Sequence, residues 1–255
     1  MTLHTHLFPY LDDNYGVLIH DDVSGETTAI DAGDGAALLA ELDKKGWKLT
    51  QLWITHHHWD HTDGLMQVKE ATGCTVYGPK EQSTPIDGLD VLLVEGDTVS
   101  LGEHKADILH TPGHTTDMIN FHFADEKIIC TGDTLFSLGC GRIFEGNPPM
   151  MWESMTKFLG LPRDTQVFGG HEYTLANASF AVTVDPNNEK LAERVKQVEA
   201  LRAEGKPTVP SMLGEEFDTN PFLRAADPGI RAHLGMESNT DSEVFTEIRK
   251  RKDNA

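Results

Sequence analysis

Short apolar runs broken by glycine, proline and aspartate fill the chain up to about residue 172. Tyr15–Ile19, Thr27–Asp31, Gln51–Thr55, Ala106–His110, Lys127–Cys130 and Gln166–Phe168 have the length and flanks of strands. Helical patterns lie between some of them, over residues 35–45 and 63–72, the second closed by Gly73 as a C-cap. Strands with interspersed helices predict a layered α/β architecture. The pattern changes near Tyr173. Over residues 187–204, Leu191, Val195, Val198 and Leu201 share one helical face, with Pro186 near the start and Gly205 past the end. Asp227-Pro-Gly-Ile-Arg231 reads as another capped start. Thr240-Asp-Ser-Glu243 has the form of a capping box before a final helix to about Lys252. The expected organisation is therefore an α/β domain over residues 1–172 and an α-helical subdomain over 173–255.

A chain of 255 residues is long enough to bury a core without disulfides. Its three cysteines, Cys74, Cys130 and Cys140, form no C-x-x-C pair, and so sparse a set fits a reducing compartment. Met1 to Tyr10 lacks the basic start and apolar core of a signal peptide, and no apolar run approaches the roughly 20 residues that span a bilayer. A cytoplasmic, monomeric protein with no membrane partner is the expectation. The formal net charge of −20 disfavours nucleic acid and anionic surfaces. The acidity is concentrated before Tyr173, with 10 basic and 27 acidic residues, against 11 and 14 from Tyr173 on.

The segment Thr55-His-His-His-Trp-Asp-His61 follows an apolar strand and precedes a helix. His56, His58, Asp60 and His61 crowd three imidazoles and a carboxylate into one turn, which packing does not explain. These side chains suit zinc, iron or manganese. His57 and Trp59 fall at the alternate positions and read as packing or supporting residues. Three further segments share one design, a short strand ending in glycine and then a ligand type: Gly113-His114, Gly132-Asp133 and Gly170-His171. Glycine lets the backbone approach a crowded site closely. Each alone is weak, since a single histidine after a strand is more often structural; together they complete a set for two ions. Asp31, in Ile30-Asp-Ala-Gly33, reads as a support through hydrogen bonds. Cys140 has no assured basic partner and is not the expected nucleophile. His4, His6, His20, His57, His104, His110, His122 and His233 read as surface or packing residues.

The ordered set His56-x-His58-x-Asp60-His61, His114, Asp133 and His171 resembles the metallo-β-lactamase superfamily, whose fold is an αββα sandwich. The resemblance implies that His56, His58 and His114 hold one ion, that Asp60, His61 and His171 hold a second, and that Asp133 bridges them. Asp12-Asp-Asn-Tyr15, Gly139-Cys-Gly-Arg142, Phe144-Glu-Gly146, Gly170-His-Glu-Tyr-Thr174, Asn220-Pro-Phe222 and Arg249-Lys-Arg-Lys-Asp253 narrow it to the glyoxalase II (hydroxyacylglutathione hydrolase) family. That family implies two divalent ions per chain, zinc foremost, and a glutathione thioester as the small-molecule substrate. The implied reaction takes S-D-lactoylglutathione to D-lactate and glutathione in methylglyoxal detoxification, by a hydroxide shared between the ions. Asp60 and Asp133 are the implied catalytic residues, and Asp60 could also orient the hydroxide. Arg142, Phe144, Tyr173, Arg249 and Lys252 are the implied substrate contacts. Arg142 stands where many relatives have Lys, Phe144 where some have Tyr, and Thr116-Asp117 where Leu-Gly is more usual. Arg249 and Lys252 also share a face of the last helix by spacing, which a plain solvated helix end would equally produce. The rival reading is a persulfide dioxygenase of the same fold with one iron, which would lack the helical tail.

Overall fold

Why the site residues emerge where they do follows from the strand order in a computed structural model describing residues 3–81 and 83–255. The chain divides into two compact units, one of residues 1–110 and 115–132, the other of residues 111–114 and 133–255. The sequence-based reading of residues 1–10 draws partly on Met1 and Thr2, which lie outside the described residues.

In the first unit, β1 (Leu3–Tyr10), β2 (Asn14–Asp21), β3 (Thr27–Ile30), β4 (Gln51–Trp53), β5 (Thr75–Pro79) and β6 (Val91–Leu93) form one sheet in that order. β1, β2 and β3 pair antiparallel, and β3 to β6 are parallel. Helix α1 (Gly35–Lys45) crosses between β3 and β4. The short α2 (Trp59–Thr62) and α3 (Leu65–Thr72) lie between β4 and β5. The Asp34 side chain accepts from the Ala37 amide to start α1, and Gly46, in the left-handed conformation, ends it. Leu38 and Leu42 of α1, and Leu65 and Val68 of α3, are spaced to lie on one face of each helix and bury it against Leu18, Ala29, Leu52 and Val76 of the sheet.

The other strands of this unit, β7 (Thr98–Leu101), β8 (His104–His110), β9 (Ile119–Phe123) and β10 (Ile128–Gly132), pair antiparallel in sequence order. Trp53 of β4 stacks on Phe121 and Phe123 of β9 at ring-centroid distances of 5.1 and 5.6 Å. All three rings are fully buried, so aromatic packing joins the two layers. Because β3 and β4 are parallel neighbours, their carboxyl ends lie side by side; Asp31 follows β3 directly and Thr55 stands two residues past β4. Such ends are where open α/β sheets place their ligand sites.

The second unit contains β11 (Leu135–Phe136), β12 (Gly139–Cys140), α4 (Pro148–Leu159), β13 (Gln166–Gly169), α5 (Thr174–Val184), α6 (Glu189–Ala203), β14 (Ser211–Met212), α7 (Leu213–Thr219), α8 (Pro228–Leu234) and α9 (Asp241–Asp253). β11 and β12 form a hairpin and β13 pairs antiparallel with β14. The helices expected from the sequence are present. Asn188 caps α6, Asp227 caps α8, and Thr240 with Glu243 forms the capping box of α9. Leu191 and Val198 of α6 bury their face against Ala178 and Ala181 of α5 and Leu138. Among the described residues no helix is long and apolar enough to cross a membrane.

Candidate metal centre

In the first unit, one buried carboxylate organises the ligand turn. Asp31 Oδ1 accepts from the Thr55 amide at 2.8 Å, and Oδ2 accepts from Thr55 Oγ1 at 2.9 Å and from His61 Nδ1 at 2.8 Å. Since the Thr55 hydroxyl donates to Asp31, its oxygen accepts from His56 Nδ1 at 2.9 Å. Both rings therefore carry their proton on Nδ1 and present Nε2 as the lone-pair nitrogen. This is the carboxylate–histidine arrangement that orients metal ligands. His58 lies edge-on to His56 with ring centroids 4.7 Å apart. Asn14 Nδ2 donates to Asp60 Oδ2 at 3.0 Å, and Tyr10 donates to the Asp60 carbonyl at 3.0 Å. His61 Nε2 stands 3.5 Å from Asp60 Oδ2. His57 turns to the buried Asp117, 3.0 Å away, and Trp59 is 62% exposed, so neither belongs to this ligand cluster.

The glycine expectation is met at Gly132. Its φ is +47°, and a Cβ there would stand 2.8 Å from Thr55 Oγ1, the hydroxyl that Asp31 and His56 share.

In the second unit, His114 Nε2 and His171 Nε2 each lie 3.3 Å from Asp133 Oδ2. Two donors about 2.1 Å from one tetrahedral ion are roughly 3.4 Å apart, so this spacing suits each histidine sharing an ion with Asp133. His114 Nδ1 donates to the Arg142 carbonyl at 2.7 Å, which again leaves Nε2 as the lone-pair nitrogen. His171 is held by stacking. Tyr173 lies parallel to it, 5° between planes and 4.8 Å between centroids, and Phe136 meets it edge-on. Histidine and aspartate groups able to hold metal ions occur among the described residues, and all seven expected ligands belong to them.

The expected substrate contacts differ in setting. Phe144 is 62% exposed and edge-on to His114. The Arg142 side chain is exposed, with Nε 3.7 Å from Asp253. Lys252 is half-buried; its Nζ donates to the Ala176 carbonyl at 2.9 Å, and burial holds its pKa below the ordinary lysine value. Arg249 is 5% exposed, so the solvated-helix-end alternative fails for it. Its guanidinium donates to the Cys140 carbonyl at 3.1 Å, pairs with Asp253 at 2.7 Å and lies over the Phe222 ring. Burial pushes the Cys140 thiol up to about 11, which removes the thiolate a nucleophile would need. Sequence reasoning assigns no role to Asn14, Thr55, Glu216 or Asn220, although Asn14 and Asn220 stand within the motifs that carry the resemblance.

Residues 15–171 match the metallo-beta-lactamase superfamily, and residues 172–255 match the family described as hydroxyacylglutathione hydrolase C-terminus. The chain is 53% identical to a hydroxyacylglutathione hydrolase of Rhizobium etli, over 95% of this chain and 94% of that one. It is 48% identical to one of Mesorhizobium japonicum, over the full length of both. Among solved structures, ETHE1 from Myxococcus xanthus superposes with a TM-score of 0.68 at 25% identity, covering 98% of this chain and 90% of that one. The chain belongs to the hydroxyacylglutathione hydrolase family of the metallo-β-lactamase superfamily.

Proposed function

We propose that this protein hydrolyses S-(2-hydroxyacyl)glutathione thioesters, S-D-lactoylglutathione foremost, to the hydroxy acid and glutathione, as a step of cytoplasmic methylglyoxal detoxification. The observation that carries the reading is the match of residues 172–255 to the hydroxyacylglutathione hydrolase C-terminus, beside a superfamily match over 15–171. In this reading residues 1–172 are the catalytic domain and 173–255 the substrate-binding domain of a monomer.

His56, His58 and His114 would hold one divalent ion and Asp60, His61 and His171 a second, with Asp133 available to both. Nitrogen and oxygen donors suit zinc first, with iron or manganese as alternatives. Ions bound there supply a water whose pKa is lowered to about 7 and a Lewis acid for the thioester carbonyl. The chain's own residues do the rest. Asp31 sets the tautomers of His56 and His61 through Thr55 and directly, so neither ring needs to reorient. Asn14 holds Asp60 by its Oδ2. The leaving thiol has a pKa of about 8.5, so it departs as thiolate without a strong general acid. Arg142, Tyr173, Arg249 and Lys252 would hold the glutathione part, with Phe144 against it. These local cations offset the repulsion that a chain of net charge −20 exerts on an anionic substrate.

The test is metal analysis coupled to an S-lactoylglutathione assay. Two ions per chain and thioester cleavage are expected. One iron, oxygen uptake with glutathione persulfide and no thioester cleavage would move the protein to the dioxygenase reading.

A further inference from the structure

The hairpin of β11 and β12 stands between one proposed ligand, Asp133, and the residue that anchors another, His114. Asp133 precedes it by two residues. Arg142, whose carbonyl accepts a hydrogen bond from His114 Nδ1, follows it by two. The exit strand passes directly against Asp133: the Gly141 amide donates to the Thr134 carbonyl, and a Cβ at Gly141 would stand 1.9 Å from the Asp133 carbonyl oxygen. Wherever the hairpin sits, Asp133 and the anchor of His114 sit with it.

Two-residue strands cannot fix their own position, and this turn holds Leu138 at a φ of +58°, which a branched residue adopts only when its surroundings impose it. Buried side chains from the helices impose it. Glu216 accepts from the Leu138 amide at 2.8 Å and from Asn220 Nδ2 at 3.0 Å. Asn220 Nδ2 also lies 3.1 Å from the Phe136 carbonyl and 3.0 Å from the Gly139 carbonyl, one on each strand of the hairpin. Its Oδ1 accepts from the Phe222 amide, which locks the side chain from the other end. Both residues are fully buried. Burial raises the pKa of Glu216, so the protein keeps a carboxyl group where an apolar side chain would be less costly.

We propose that Glu216 and Asn220 are positioning residues of the metal centre: from the helical region they clamp the 135–140 hairpin and so set Asp133 and His114 for the ion. The inference rests on the reading of Asp133 and His114 as ligands.

Glu216→Ala and Asn220→Ala, measured by chelator competition, should bind metal about 10- to 100-fold more weakly, the range for residues that orient ligands. Their kcat should fall by a larger factor than KM for the thioester rises, since the hairpin adjoins Asp133 directly and meets the substrate contact Arg249 only through the Cys140 carbonyl. Glu216→Gln keeps an acceptor oxygen and should restore parental affinity. Folded Ala variants with lower melting temperature but parental metal affinity would overturn the proposal. Asp133→Ala separates the two levels. If it loses metal while Glu216→Ala does not, the clamp alone is wrong; if it keeps full metal, the ligand reading is wrong and the clamp falls with it. Should the Ala variants not fold, hydrogen exchange of the Leu138 amide in the unaltered protein decides. Equal protection with and without metal is expected of a hairpin set by the clamp, and protection only in the metal-loaded form would show that the ion builds it.

Discussion

The two units support their proposed ligands by opposite means. In the first, His56, His58, Asp60 and His61 fall within one turn at the end of β4, and one carboxylate, Asp31, accepts three hydrogen bonds that fix the turn and two ring tautomers. In the second, His114, Asp133 and His171 come from three separate segments. A backbone carbonyl anchors His114, a stacked tyrosine steadies His171, and a clamped hairpin follows Asp133. A contiguous ligand cluster can be organised by one neighbour on the adjacent strand. A dispersed one needs as many supports as segments, and those supports come from the helical region as well as from strand ends.

The comparison breaks most visibly at Asp133. Asp133→Ala should lower kcat/KM by more than about 100-fold, beyond the range of supporting residues, with loss of bound metal by elemental analysis. Near-normal turnover with full occupancy would contradict its place as the shared ligand. Next comes the single support of the first unit. Asp31→Ala leaves the buried Thr55 amide without its acceptor, removes the partner of His61 Nδ1, and removes the acceptor that orients the Thr55 hydroxyl beside His56. Metal affinity should fall by about 10- to 100-fold, and stability by about 1–3 kcal/mol for the unsatisfied amide. Asp31→Asn keeps an acceptor and tolerates the φ of +61°, so denaturant unfolding should show a smaller loss.

A tenfold effect is expected at the substrate end. Lys252→Ala should raise KM by about tenfold with little change in kcat, the signature of uniform binding. Because burial lowers the Lys252 pKa, its charge is lost below the ordinary value of 10.5. Wild-type KM should therefore climb with pH before that point, and the variant's KM should not; parallel profiles would remove Lys252 from the site.

The smallest effect concerns stability. A carboxyl whose folded-state pKa is raised contributes its full stability below the unfolded value and loses it as pH rises through the folded one. For Glu216 that loss begins at about 4.5. The melting temperature of metal-free Glu216→Gln should thus equal that of the parent at lower pH and exceed it increasingly above. A constant difference across pH would contradict the burial of this carboxyl.

The same contrast governs what could be read from the chain. The first candidate cluster was legible as a possible metal-binding group because its residues are neighbours in sequence, and α1, α6, α8 and α9 were legible because their caps and apolar faces are local. His114, Asp133 and His171 were legible only as a set, through the repeated strand-glycine-ligand design. β11 and β12 were not, since two-residue strands carry no alternation to detect. Glu216 stands in Gly214-Glu-Glu-Phe217 beside a second glutamate, and only the fold shows which carboxyl is buried against Leu138. The spacing of Arg249 and Lys252 put them on one face but did not reveal that Arg249 is buried against Cys140.

The proposed reaction is metal-dependent thioester hydrolysis. The direct test strips the protein of metal, reloads it with zinc, and follows thiol release from S-D-lactoylglutathione in oxygen-free buffer. No release is expected from the stripped protein, and release of glutathione and lactate should return on reloading, without dioxygen. Thiol release that persists in the fully stripped protein, or no release after reloading to two ions per chain, would contradict the proposed reaction.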